Sequence, residues 1–366
     1  MKIRHSDIPP TRRDFLRHSA CASLGITGLV NALAQMRLMT AAMAQASIPN
    51  DPSDYKALIC LFLNGGNDAN NLLVPISGEL RNDYDAGRGV LALPVDQLNA
   101  ISPRNHSESF GLHPDAEPIA DLFQEGNLAF VCNVGTLSYP IATREDYLNG
   151  SVPVPPQLFS HSDQRTQWQS SVPDKPFQSG WGGRVAELLN ASYNPQSEVS
   201  MNVSVAGVNS FQVGTSGEIS QYVLDPQGGA ISLSGFGPNY SNALNADGSY
   251  KTTAAGTRLE AFESIMNHTH ANLLEESYNK VMRSARATEG TIGAALTEAA
   301  TAGVDFDQFF NSAQHDLGDQ LKMIAQLIAG RGALGNNRQI FFCQVRGFDT
   351  HNGELPIHAD LMTELS

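Results

Sequence analysis

The stretch that decides the fold is ALICLFLNGGNDANNLLVP, residues 57–75. An unbroken apolar run from Ala57 to Leu63 breaks at Asn64-Gly65-Gly66-Asn67-Asp68 and turns apolar again at Leu72-Leu73-Val74. A short apolar run bounded by turn residues predicts a strand buried on both faces, as in a parallel sheet. In open α/β sheets, ligands bind just beyond the carboxyl ends of strands. Two glycines at such an end let the backbone turn tightly and let another group come close. Asp68 is thereby expected at the mouth of the sheet, placed for a metal or a polar substrate. Asn67, Asp68, Asn70 and Asn71 have a second reading as turn formers, since Asx side chains close loops by themselves.

Working outward, Leu128 to Val134 reads as a second buried strand, and Gln339 to Val345 as a third. Between the first two, Pro114 suits a first helical position, with Ile119, Ala120, Leu122 and Phe123 on an apolar face. Trp181 to Leu189 predicts a further helix, and Val203–Val208 and Phe211–Val213 predict short strands. Residues 214–255 are rich in Gly, Ser and Asn and read as an irregular insertion. Helical patterns follow over Thr257–Arg286, Ile292–Ala300 and Asp316–Arg331, the last with Leu317, Leu321, Ile324, Leu327 and Ile328 on one face. The expected class is therefore α/β, a mostly parallel sheet flanked by helices. It forms one domain over residues 47–366, with a loop-rich and helical insertion at about 214–310. Leu355 to Ser366 reads as the start of a helix with no closing strand after it, so the domain is expected to be incomplete at its C-terminus.

The N-terminus carries a targeting signal. Thr11-Arg12-Arg13-Asp14-Phe15-Leu16 is a twin-arginine sequence, followed by an Ala- and Gly-rich apolar stretch. A-x-A sites place cleavage after Ala44 or Ala46, so residues 1–46 are read as a removable signal. The twin-arginine translocation machinery is the expected partner, and a periplasmic or secreted protein the expected product. The apolar stretch is short for a permanent membrane span. Net charge is −14, and residues 1–46 hold six of the 23 basic and two of the 37 acidic residues. The remaining body is strongly acidic, which disfavours nucleic-acid binding. Cys60, Cys132 and Cys343 sit in apolar runs and read as buried small hydrophobes, not as a disulfide framework.

Three polar sets fall at apparent strand ends. They are Asn67-Asp68, Ser160-His161-Ser162-Asp163-Gln164, and Asp349-Thr350-His351 with His358 further on. Neutral imidazole and carboxylate together suit zinc or a similar divalent cation. Asp349-x-His351 brings both side chains to one side in an extended segment. Each set has a structural reading as well. Asp349 and Thr350 are good helix caps, and Ser160 suits an N-cap with Asp163 in the first turn. Ser160 at a helix N-terminus is equally placed as a nucleophile, because the free N–H groups there hold anions. His268-x-His270 lies on a helical pattern, where alternate residues diverge, and reads as surface.

In combination and order, TRRDFL, FLNGGNDANNLLVP, PPQLFSHSDQRTQWQ, GWGGRVAELL and QIFFCQVRGFDTH resemble a twin-arginine-exported bacterial family of unknown function. That family is grouped with the alkaline phosphatase and sulfatase superfamily. The resemblance runs from Arg12 to His358. It implies a central mostly parallel sheet, a metal site at the carboxyl ends of its strands, and a nucleophile at a helix N-terminus. On that comparison Asp68, Asp349 and His351 are candidate ligands of a divalent metal, zinc or calcium, and Ser160 is the candidate nucleophile; His358, seven residues after His351, is a further candidate ligand from its place in the third polar set. The spacing of Asp349 and His351 is shorter than in well-studied phosphatases. The implied activity is hydrolysis of phosphate or sulfate esters of a small-molecule or polymer substrate. A non-catalytic exported binding or assembly protein on the same scaffold, or an inactive fragment, is the alternative.

Overall fold

A computed structural model describes residues 54–104, 108–230, 235–237, 240–245, 247–268, 273–310 and 316–366. The twin-arginine segment with its cleavage sites, Cys21, His106, His270 and His315 lie outside the described residues. So does part of the predicted insertion.

The apolar run that opens the domain forms strand β1, Lys56–Asn64. It leads through a helical turn, Ala69–Leu72, into β2, Leu73–Pro75, and helix α1, Gly78–Arg88. Strands β3, Asn99–Ile101, and β4, Phe110–Leu112, precede helix α2, Glu117–Gln124. Helix α3 spans His161–Ser170 and α4 spans Trp181–Tyr193. Strands β5, Asn202–Ser204, β6, Tyr222–Asp225, and β7, Gly229–Ala230, follow. Then come helices α5, Ala254–Asn267, α6, Leu273–Thr301, and α7, Asp316–Ala329. Strand β8, Arg338–Arg346, and helix α8, Glu354–Leu365, complete the order.

The main sheet runs β1-β8-β5-β6-β7. β1, β8, β5 and β6 are parallel, and β7 turns back antiparallel to β6. β1 and β8 pair along their whole length, from Lys56↔Arg338 to Asn64↔Arg346. A second, antiparallel sheet has the order β2-β4-β3. The class is thus α/β with a mostly parallel sheet, as the apolar runs predict.

β8 is an interior strand, between β1 and β5, and its alternation builds two cores. Ile340 and Phe342 point to one face, where they meet Met201, Phe211 and Ala186 of α4. Phe341 and Cys343 point to the other, against Ile292 and Ala295 of α6 and Met323, Ile324 and Leu327 of α7. A two-residue side-chain period between helical layers on both faces makes the middle of the strand, Ile340–Cys343, apolar on both sides. Farther along, Val345 and Phe348 join Leu317 of α7 and Leu361 and Met362 of α8. Gly182 and Gly183 at the start of α4 let Phe211 and Val213 approach closely: a Cβ on Gly183 would sit 2.2 Å from the carbonyl carbon of Val213.

β5 is three residues long and β8 nine, so much of one edge of β8 lacks a strand partner. Amide side chains fill the gap. Asn194 Oδ1 accepts from the backbone N–H groups of Asn337 (2.8 Å) and Arg338 (3.0 Å), and its Nδ2 donates to the Arg338 carbonyl. Gln212 Nε2 donates to the carbonyls of Val203 and Ile340. Gln320 of α7 exchanges two bonds with the Gln344 backbone, at 2.9 and 3.0 Å. Buried backbone groups need such partners, and here tertiary neighbours supply them.

Several expectations are corrected. β1 is an edge strand with exposed Leu58 and Ile59, not one buried on both faces, because only β8 pairs with it. Residues 128–134 form no strand. Val131 is 81% exposed and Cys132 is exposed, so an apolar run without a ladder partner stays an irregular segment. Phe211–Val213 is a turn. Pro114 lies ahead of its helix, which starts at Glu117 with Pro118 in its first turn. The region read as irregular contains β6, whose pairing with β5 the local Gly- and Ser-rich composition does not reveal. Ile292–Ala300 is no separate helix but the end of α6. Cys60 is half-buried and Cys343 buried, with burial pushing their thiols up to about 11 and about 12. Among the described residues, no helix is long and apolar enough to cross a membrane.

Candidate functional site

Because β1 and β8 run parallel, both chains leave the sheet at the same end. Gly65 and Gly66 carry β1 away at φ +125° and +107°, backbone angles that suit glycine. A Cβ on Gly65 would stand 2.7 Å from the Asp349 backbone nitrogen. The glycine therefore lets the loop after β8 lie directly against the loop after β1. That second loop carries Asp349 and His351, and His351 takes a φ of +34°, which a non-glycine residue adopts rarely.

Asp349 is the centre of a three-residue group. His351 Nε2 lies 2.8 Å from Asp349 Oδ1, and His161 Nε2 lies 3.4 Å from Asp349 Oδ2. One ligand atom from each of the three falls within 4.8 Å of the others. All three side chains are solvent-accessible. His161 is the first residue of α3, held there by the N-cap of Ser160, whose Oγ accepts from the Asp163 N–H at 3.5 Å. Ser160 Oγ also lies 3.2 Å from Ser162 Oγ. The capping expectation for Ser160 is met, and the residue stands directly beside the group.

The other two candidates are placed elsewhere. Asp68 caps the Ala69–Leu72 turn by accepting from the Asn70 N–H and forms an ion pair with Arg88. Asn71, from the same stretch, is buried and bonded to Leu91 and Tyr84. His358 is 1% exposed on α8. Its Nε2 meets Asn67 Oδ1 at 3.0 Å, and its ring stands edge-on to His113 at 5.1 Å. Burial lowers the pKa of both imidazoles; Glu354 and Asp68 oppose this at His358, and Asp115 opposes it at His113. Thus Asp349 and His351 come together and His161 joins them, while Asp68 is held by Arg88 and His358 by Asn67.

Beside the group opens a cavity of about 910 Å³ between the end of β1, the 130–134 segment and α3. Helix α3 has an inverted pattern. Its buried residues are Gln167, Gln169 and Ser170, and Gln169 Oε1 accepts from the backbone N–H groups of Ser210 and Phe211. The residues it turns to the cavity are His161, Gln164, Arg165 and Trp168. These follow the i, i+3, i+4, i+7 spacing of one helical stripe, a signal that the sequence carries.

Two imidazole nitrogens and one carboxylate oxygen form a donor set of the zinc type, whereas calcium prefers oxygen ligands alone. Two ligands at about 2.1 Å from a tetrahedral ion sit about 3.4 Å apart; His161 Nε2 stands at that distance from Asp349 Oδ2, whereas His351 Nε2 is at direct hydrogen-bond distance from Asp349 Oδ1. Comparison with known proteins finds no match: no family model, no curated protein and no solved structure is similar to this chain.

Proposed function

We propose that this chain is an exported protein of the alkaline phosphatase-like class and that it hydrolyses phosphate or sulfate esters with a divalent metal. The observation that carries this reading is the convergence of His161, Asp349 and His351 within 4.8 Å, at the carboxyl ends of parallel strands and beside a cavity. Open α/β sheets place their ligands at that end. His161, Asp349 and His351 would hold the ion, and the donor set favours zinc. A bound ion supplies Lewis acidity and a water of lowered pKa. The chain's own contribution is placement. The α3 N-terminus offers free N–H groups to an anionic ester, Arg165 adds a positive charge one turn on, and Ser160 stands at the helix start as the candidate nucleophile.

The test is turnover of 4-nitrophenyl phosphate and 4-nitrophenyl sulfate by zinc-loaded protein. Hydrolysis that is lost in His161→Ala and Asp349→Ala supports the reading. No turnover by folded, zinc-loaded protein contradicts it. A second reading, a non-catalytic binding protein on the same scaffold, draws on the Arg88 pair that neutralises Asp68. It predicts that ligands bind beside α3 without any ester cleavage.

A further inference from the structure

The cavity beside the His161 group carries a combination that the ester chemistry alone does not require. Trp168 is 45% exposed and Phe159 is 83% exposed, and both line it. Large aromatic faces left open on a cavity wall invite a flat or weakly polar surface to lie on them. Three amide side chains line the same space from three separate segments. Asn70 comes from the turn after β1, Asn133 from the 130–134 segment, and Gln164 from α3. None of the three makes a side-chain hydrogen bond among the described residues, whereas Asn64 and Asn67, in the same lining, are committed to Gln344 and His358. An amide offers both donors and acceptors. Arg165 also lines the cavity and forms no ion pair among the described residues.

We propose that this cavity binds the sugar part of an anionic sugar ester. The proposal rests on the hydrolase reading only for where the ester group lies. A pyranose presents an apolar C–H face that lies on an indole or phenyl ring, and hydroxyls that radiate around its edge. Uncommitted amides distributed around a cavity match hydroxyls in that arrangement. A simple aryl ester would cover the rings and leave the amides unmet. A nucleobase concentrates its polar atoms along its edges in one plane, which three amides on separate segments do not match. The stripe on α3 gives the order along the ligand. His161 begins the helix at the metal-type group, Arg165 follows one turn later, and Trp168 follows Arg165 by three residues. The sulfate or phosphate therefore lies between His161 and Arg165, and the sugar ring over Trp168.

The experiment is a binding titration on metal-free full chain, so it does not depend on turnover. The chain has two tryptophans, and Trp181 is held against Phe211 with ring centroids 4.5 Å apart, which leaves Trp168 as the reporter in the cavity. Galactose 6-sulfate and galactose 6-phosphate are titrated against galactose, adenosine monophosphate and 4-nitrophenyl sulfate. The expected result is a saturable change in tryptophan fluorescence with either sugar ester, at lower concentration than with the other three probes. By calorimetry, Arg165→Gln should weaken sugar-ester binding about tenfold, and Trp168→Ala should weaken it by about the same factor. Both residues are exposed, so neither change burdens folding. No saturable response to either sugar ester overturns the proposal. So does tighter binding of adenosine monophosphate or 4-nitrophenyl sulfate, or unchanged affinity in Trp168→Ala. Sugar-ester binding without hydrolysis by zinc-loaded protein would remove the hydrolase reading and leave this one standing.

Discussion

Asp349 Oδ2 lies 3.4 Å from His161 Nε2, so the loop that leaves β8 touches the first residue of α3. These segments are far apart in the chain. Their meeting depends on the glycine turn after β1, which gives room for the Asp349 loop.

Gly65 is accordingly expected to be intolerant of a side chain. At φ +125°, with a Cβ position 2.7 Å from the Asp349 nitrogen, Gly65→Ala meets both backbone strain and a backbone clash. The expected loss is about 1–3 kcal/mol, read from urea unfolding. The same variant should bind zinc more weakly, because the clash displaces Asp349. Unchanged stability and unchanged zinc affinity would show that the two loops do not depend on this contact.

The buried imidazoles make stability depend on pH with a defined sign. Burial lowers the pKa of His113 and His358 in the folded chain below the ordinary value of 6.5. The unfolded state then binds more protons in the window below that value, so stability rises with pH there. The stabilisation is fully present above about pH 7 and is lost as pH falls through the unfolded value towards the lower folded ones. Urea midpoints measured from pH 8 to pH 5 should fall, and His358→Gln should flatten the fall. A midpoint that holds steady over that range would contradict the assignment.

Gln320 tests the amide clamp on β8. Removing its side chain leaves the Gln344 N–H and C=O, both held by it, without their partner. Gln320→Ala is expected to cost about 1–3 kcal/mol, the penalty for a buried polar group left unsatisfied. Gln320→Glu keeps an acceptor for the N–H but sets a buried carboxylate against the Gln344 carbonyl oxygen, so it should cost at least as much as the alanine. Equal stability of all three proteins in urea titration would show that water replaces the clamp.

The presence of β1, β8 and α7 was legible because their patterns are long, although the edge position of β1 was not. β1 and β8 are apolar runs bounded by turn residues, and α7 carries a full apolar stripe. The run at 128–134 looks the same locally, but a strand also needs a ladder partner, and no local pattern reports one. The short β5 and β6 depend on neighbours in the same way, as do the amides of Asn194, Gln212 and Gln320. Within the candidate site, Asp349 and His351 were legible from their position after a buried strand. The roles of Asp68 and His358 were not, because Arg88 and His113 reach them only through the fold. His161 sits in a polar set visible from the sequence, and its partnership with Gln164, Arg165 and Trp168 is readable in their helical spacing.

The most direct measurement of the central claim is zinc binding by calorimetry to the wild-type chain and to His161→Ala, Asp349→Ala and His351→Ala. All three side chains are solvent-accessible, so the variants should fold as the parent does. The account predicts one zinc per wild-type chain and an affinity lower by at least about 100-fold in each variant. Zinc binding that is absent from the wild-type chain, or unchanged in all three variants, would contradict it.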